Sequence, residues 1–169
     1  YMIYDNFISK EEQENLILWA MSCRSMLNPN PVSPHRFFNQ LKNLPKNKIT
    51  DNIEKRIIDK FDLHSFKKES FIGDILSVIE DGGAVHDHTD LFSDDIVHYR
   101  YNVLVQLPEE GGRNIYNNQI LDVEERCLLE YRPDLYNHSC EEVKGKDRIN
   151  LSFGFVNMRC RVDNLIVNN

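Results

Sequence analysis

The chain carries two hydrophobic rhythms. "YMIYDNF" opens as a short extended segment. Behind it Leu16, Trp19, Ala20 and Cys23 recur at three- and four-residue steps, the spacing of one helix face. Ser9 with Glu12 three residues later forms a capping-box pair, which places a helix at about 10–23. The prolines of "NPNPVSP" end it. Ile53, Ile57, Ile58 and Phe61 repeat the helical step, and Asp51 and Glu54 signal a start, so a second helix is expected at about 51–62. From Phe71 onward the step shortens to two. "FIGDILSVIE", "VHYRYNVLVQL", "RCLLEYR" and "RINLSFGFV" read as strands, separated by the turn signals "EDGG", "LPEEGG", "RPD" and "VKGKD".

This order predicts one α+β domain, mainly β, over 1–169. Residues 1–70 form a helical support, and 71–157 close into a sandwich or barrel with the helices on one outer face. Two strands have an unusual polar face. In the first, Arg100, Asn102, Leu104 and Gln106 alternate with Tyr101, Val103, Val105 and Leu107. In the second, Arg148, Asn150, Ser152 and Gly154 alternate with Ile149, Leu151, Phe153 and Phe155. A half-buried sheet with one wet face explains either strand alone. A barrel whose polar face lines a pocket explains both together.

Composition narrows the classes. A 169-residue chain with 41% hydrophobic residues can bury a core. Its net charge of -7, with no basic stripe, argues against nucleic acid as a partner. No apolar run is long enough for a membrane span, and no signal peptide is visible. Cys23, Cys127, Cys140 and Cys160 lie far apart without a C-x-x-C pair, which fits a reduced, cytoplasmic setting. The start at Tyr1 reads as processed or trimmed. Nothing in the pattern indicates an oligomeric state.

The chemistry concentrates in "DGGAVHDHTD", residues 81–90. Residues two apart on an extended segment point the same way, so H-x-H (His86, His88) and H-x-D (His88, Asp90) each offer a ligand pair. Two histidines and one carboxylate on one face of a metal make the site of non-haem Fe(II) oxygenases, with open positions left for co-substrate and O₂. The third ligand must come from elsewhere. His138 follows a turn and precedes a strand, and Arg148 stands ten residues beyond it. His98 competes, but it lies close after Asp90 and has Pro108 ten residues on. A cupin-type set fails because no Glu occurs between Asp90 and Arg100.

The ordered set "GGAVHDHTD", "LPEEGG", "DLYNHS" and "KDRINLSF" resembles the 2-oxoglutarate- and Fe(II)-dependent dioxygenases, within them the prolyl-4-hydroxylase-like branch. The opening "YDNFISKEEQENLI" is similar as well. The resemblance implies a double-stranded β-helix (jelly-roll) core. It implies that His88, Asp90 and His138 bind Fe(II) and that Arg148 pairs with the distal carboxylate of 2-oxoglutarate. Asn102 and Gln106 would hydrogen-bond that co-substrate, and Arg100 would face it or the substrate. The implied reaction hydroxylates an unactivated C–H, consuming O₂ and releasing succinate and CO₂. The expected substrate is an amino-acid side chain in a peptide or protein, or a free amino acid. An oxidative demethylase of nucleic acid and a non-catalytic metal-binding jelly roll are the other readings. The chain departs from the branch at Ile79, where many members carry Tyr nine residues before the first His. It also has Arg148 where relatives often have Lys.

Overall fold

A computed structural model describes residues 1–159, leaving Cys160 outside the described part. The first half runs β1 (Met2–Tyr4), α1 (Lys10–Ser22), β2 (Asn28–Pro29), β3 (Arg36–Gln40), α2 (Lys48–Lys60) and β4 (Lys67–Lys68). Next come β5 (Ile75–Ile79), β6 (Val85–His88), β7 (Ile96–Gln106), β8 (Glu110–Gly111) and β9 (Asn114–Tyr116). The chain continues through β10 (Gln119–Leu121), β11 (Leu128–Tyr131), β12 (His138–Cys140), β13 (Val143–Lys144) and β14 (Arg148–Met158).

All pairings are antiparallel. The major sheet runs β1-β11-β7-β14-β5-β3-β2, with β4 also paired to β14. A smaller sheet runs β10-β9-β12-β6, and β13 pairs β8. The two larger sheets enclose a cavity between them, the arrangement of a jelly roll.

The helices form where the caps allow. Ser9 Oγ accepts from Glu12 N at 3.1 Å and Glu12 Oε1 accepts from Ser9 N at 3.0 Å, closing the capping box. The second helix starts earlier than 51. Asn47 Oδ1 accepts from Ile49 N at 2.8 Å and Thr50 N at 3.2 Å, so Asn47 is the cap and Asp51 lies within the first turn.

The first seventy residues are also more than a helical support. β3 lies beside β5 inside the major sheet, and β1 extends its far edge. Pattern reading missed β3 because "RFFNQ" has no apolar alternation facing one way: all five residues are half-buried. Its two faces are nevertheless distinct. Phe37 packs into the core, while Arg36, Phe38 and Gln40 line the cavity.

This inversion holds across the sheet. Its outer face carries Leu76, Val78, Tyr101, Val103, Ile149, Leu151 and Phe153, buried against Leu16, Ala20, Ile53 and Ile57 of the helices. Its inner face is polar. Directly paired residues share a face, and the register places Arg36, Ile79 and Arg148 in one row across β3, β5 and β14. The next rows are Phe38, Ser77 and Asn150, then Gln40, Ile75, Ser152 and Asn102. Leu104 ends this polar lattice, clustered with Tyr116, Leu121, Leu129 and Tyr131.

Candidate metal centre

His88 ends β6 and pairs directly with His138 on β12. Asp90 follows two residues after His88, fixed through its backbone. Its N–H donates to the Pro133 carbonyl at 2.8 Å, and its carbonyl faces His98 Nδ1 at 3.3 Å. The carboxylate thereby lies between two imidazoles. Oδ1 is 3.5 Å from His88 Nε2, and Oδ2 is 3.5 Å from His138 Nε2. One ligand atom from each of the three lies within 4.8 Å of the others.

The protonation states suit a cation. His88 Nδ1 lies 2.7 Å from the His86 carbonyl, which accepts only, so Nδ1 carries the proton and Nε2 keeps its lone pair. Burial lowers the His88 pKa against the raising effect of that hydrogen bond, which favours the neutral, ligating form. Burial also pulls the Asp90 carboxyl upward. His138 and His88 outweigh it and leave the group below its ordinary value, ionised. His138 Nδ1 is buried and without a partner among the described residues.

Arg148 reaches the same cavity from the start of β14. It is 3% exposed. Its Nε donates to the Gly112 carbonyl and its Nη2 to Asn114 Oδ1, both at 2.8 Å. The "GG" turn has a physical role in this. Gly112 has φ +66°, and a Cβ there would meet Pro108 Cγ at 2.6 Å and Arg148 Cδ at 3.3 Å. The cavity measures about 560 Å³, within the range of small-molecule sites.

The other expected site residues part ways. Asn102 lines the cavity, donating to Tyr131 Oη at 3.4 Å with its Oδ1 unpartnered. Gln106 is not part of the lining. It lies beyond the apolar cluster around Leu104, and its Nε2 donates to the Asp147 carbonyl at 2.8 Å. Its expected role toward a co-substrate therefore falls away. Arg100 does line the cavity, but its guanidinium is committed elsewhere. Nη2 donates to Glu69 Oε2 at 2.7 Å and the Gly73 carbonyl at 2.8 Å, and Nη1 to Ser152 Oγ at 3.0 Å. Glu69 in turn accepts from the backbone N–H groups of Phe71, Ile72 and Gly73. This buried pair holds a rim loop in place and leaves Arg100 poorly suited to take a substrate group.

His86 is exposed and stacks on His88, with Nδ1 3.0 Å from Ser33 Oγ. His98 is buried, its Nδ1 facing the Asp90 carbonyl, and it lies outside the group formed by His88, Asp90 and His138. Ile79 is fully buried, lining the cavity between Arg36 and Arg148. Sequence reasoning gave no site role to Arg36, Ser77 or Tyr131. Arg36 and Ser77 follow from pairing β3 and β5 in register, a step no single strand reveals.

No family model matches the chain, and no curated protein matches it in sequence. Solved structures do match. A viral collagen prolyl hydroxylase from Paramecium bursaria Chlorella virus-1, in complex with 2-oxoglutarate, superposes with TM-score 0.71 at 17% identity. That match covers 92% of this chain and 94% of the viral one. The fold is that of a prolyl hydroxylase. A second prolyl hydroxylase, from Trichoplax adhaerens with a hypoxia inducible factor peptide fragment, gives TM-score 0.70 at 12% identity, covering 91% and 82%. HygX from Streptomyces hygroscopicus, with nickel, 2-oxoglutarate and hygromycin B bound, gives 0.67 at 9%, covering 91% and 81%. Proteins of the prolyl-hydroxylase fold thus hold a peptide fragment in one case and hygromycin B in another, so the fold alone leaves the substrate open. Among the described residues, no helix of this chain is long and apolar enough to cross a membrane.

Proposed function

We propose that this chain is a 2-oxoglutarate- and Fe(II)-dependent dioxygenase that hydroxylates an unactivated C–H on an amino-acid side chain, in a peptide or protein or as a free amino acid. One observation carries the reading. His88, Asp90 and His138 converge from β6, the loop after it and β12, in one cavity with Arg148.

The residues fit the metal and the co-substrate. Two imidazole Nε2 atoms and one carboxylate form a facial donor set, the type that suits Fe(II) and leaves other positions free. Bound Fe(II) with 2-oxoglutarate and O₂ supplies the oxidising power, with succinate and CO₂ as the other products. The chain's share is positioning. His86, through its carbonyl, fixes the His88 tautomer, and Pro133 with His98 fixes the Asp90 backbone. Arg148 offers its remaining donor, Nη1, to the distal carboxylate of 2-oxoglutarate, its other nitrogens being anchored on Gly112 and Asn114. Tyr131, kept protonated by burial, and Asn102 offer neutral polar groups to whatever lies against the metal. Tyr131 joins the cavity lining to the apolar cluster around Leu104. The described cysteines Cys23, Cys127 and Cys140 are buried free thiols, which fits a reducing, cytoplasmic compartment.

Anaerobic titration of Fe(II) in the presence of 2-oxoglutarate tests the reading. A bidentate complex gives a weak visible charge-transfer band. No band at saturating Fe(II) sinks the proposal.

A further inference from the structure

The cavity carries one positive charge that nothing in it balances. Among its lining residues, the charged ones are Arg36, Arg100, Arg148 and Asp90. Arg100 is neutralised by Glu69 at 2.7 Å. Tyr131 and Cys140 are held neutral by burial, which raises both. Two arginines, Arg36 and Arg148, therefore face one carboxylate, Asp90. Loading the site as proposed above does not change this surplus, because Fe(II) and doubly charged 2-oxoglutarate cancel. Arg148 then answers the distal carboxylate, and the charge left over sits on Arg36.

Arg36 is built to hold something. It stands on β3 in the same cross-strand row as Ile79 and Arg148. Its Nε donates to Ser77 Oγ at 3.2 Å, which fixes the head group against the inner sheet. Its two terminal nitrogens have no hydrogen-bond partner and no ion pair among the described residues. Its guanidinium carbon lies 5.4 Å from the centre of the Phe38 ring. Burial lowers its pKa and Arg148 adds to the effect, and together they outweigh the raising influence of Tyr131, Cys140 and Asp90. A guanidinium with both terminal nitrogens free presents a two-pronged donor that matches a carboxylate.

We infer that Arg36 anchors a single carboxylate of the primary substrate, so that the site takes a carboxylate-bearing molecule, either a free amino acid or the C-terminal residue of a peptide. A carboxylate seated against Arg36 balances that guanidinium locally, even where the molecule as a whole is a zwitterion, whereas an interior residue of a neutral peptide leaves Arg36 uncompensated. This inference rests on the oxygenase reading, since it assigns 2-oxoglutarate to Arg148.

The test uses the anaerobic Fe(II)–2-oxoglutarate complex and follows its charge-transfer band by titration. The probes are the free L-amino acids, dipeptides with free C-termini, and the C-terminal amides of both sets. At least one carboxylate should perturb the band and stimulate succinate release. Its amide should bind about 10- to 100-fold more weakly, the range for losing a charge-assisted hydrogen bond. Free amino acids acting without the dipeptides point to the first source, and dipeptides acting alone to the second. Arg36→Gln should weaken the carboxylate by the same factor, bring it level with its amide, and leave the 2-oxoglutarate titration unchanged. Arg36→Lys should recover part of the loss. Amides binding as well as acids, or no carboxylate perturbing the band, overturns the inference while the oxygenase reading stands. A raised 2-oxoglutarate requirement in Arg36→Gln also overturns it, because Arg36 then serves the co-substrate. Where Arg36→Gln does not fold, the wild-type contrast between acids and amides decides alone. Absence of the band in the wild type rejects the oxygenase reading, and with it this one.

Discussion

His86 and Asp90 flank His88 at equal distance in the sequence, but only Asp90 points at the imidazoles of both His88 and His138. Asp90→Ala removes the oxygens that sit 3.5 Å from His88 and His138. It should abolish iron binding and turnover. His86 contributes its carbonyl to the His88 tautomer, and a side-chain change leaves that carbonyl in place. His86→Ala should retain the Fe(II)–2-oxoglutarate band with at most a small loss of affinity, and equal loss of iron in both variants would falsify the ligand assignment. Arg148→Ala should leave iron binding intact and raise the 2-oxoglutarate needed for half the band about 10- to 100-fold, from a lost interaction of roughly 1.5–3 kcal/mol. An unchanged titration removes Arg148 from that role. The convergence of His88, Asp90 and His138 was legible because their ordered spacing with Arg148 is hard to reach by chance. Gln106 was misread because a period of two says which face a residue takes, not where along that face the cavity stops. Leu104 and its neighbours set that limit.

At the scale of elements, the strands that alternate cleanly were readable and those that carry function were less so. β7 and β14, eleven residues each, announced themselves through alternation over residues 100–107 and 148–155. β3 has neither length nor an apolar inner face, and its assignment depends on pairing with β5. The start of α2 was displaced because Asp51 and Glu54 resemble a start, while the true cap, Asn47, hides among lysines in "PKNK". The GG turn was recognised as a motif without its reason. Gly112→Ala forces a side chain into φ +66° and against Pro108. That should cost about 1–3 kcal/mol of stability and weaken 2-oxoglutarate, because the Gly112 carbonyl holds Arg148 Nε. Chemical denaturation measures the first effect and the charge-transfer titration the second. A variant of normal stability with reduced co-substrate affinity would show that the turn acts on Arg148 alone.

As a whole, the molecule is apolar outside its major sheet, under the helices, and polar within. That inversion makes its stability depend on buried titratable groups. His88 and His98 both have pKa values lowered below 6.5 chiefly by burial, and His98 is 0% exposed. The unfolded chain therefore takes up protons that the folded chain refuses. The sign follows: stability is complete above pH 6.5 and declines as pH falls below it, down to the lowered folded-state values. Asp90, whose folded pKa is depressed, adds a further loss at lower pH. Its contribution is present above the ordinary carboxylate value of 3.8 and disappears as pH falls through its folded value. The net charge of -7 works the other way, since acid relieves self-repulsion. A comparison of variants separates the two. His98→Asn keeps a donor for the Asp90 carbonyl and removes one buried imidazole. Between about pH 7.5 and about pH 5.5, across the histidine range, the Tm of metal-free wild-type protein should fall more steeply than that of His98→Asn. Parallel Tm profiles for the two proteins would mean that the buried imidazole of His98 does not couple folding to pH.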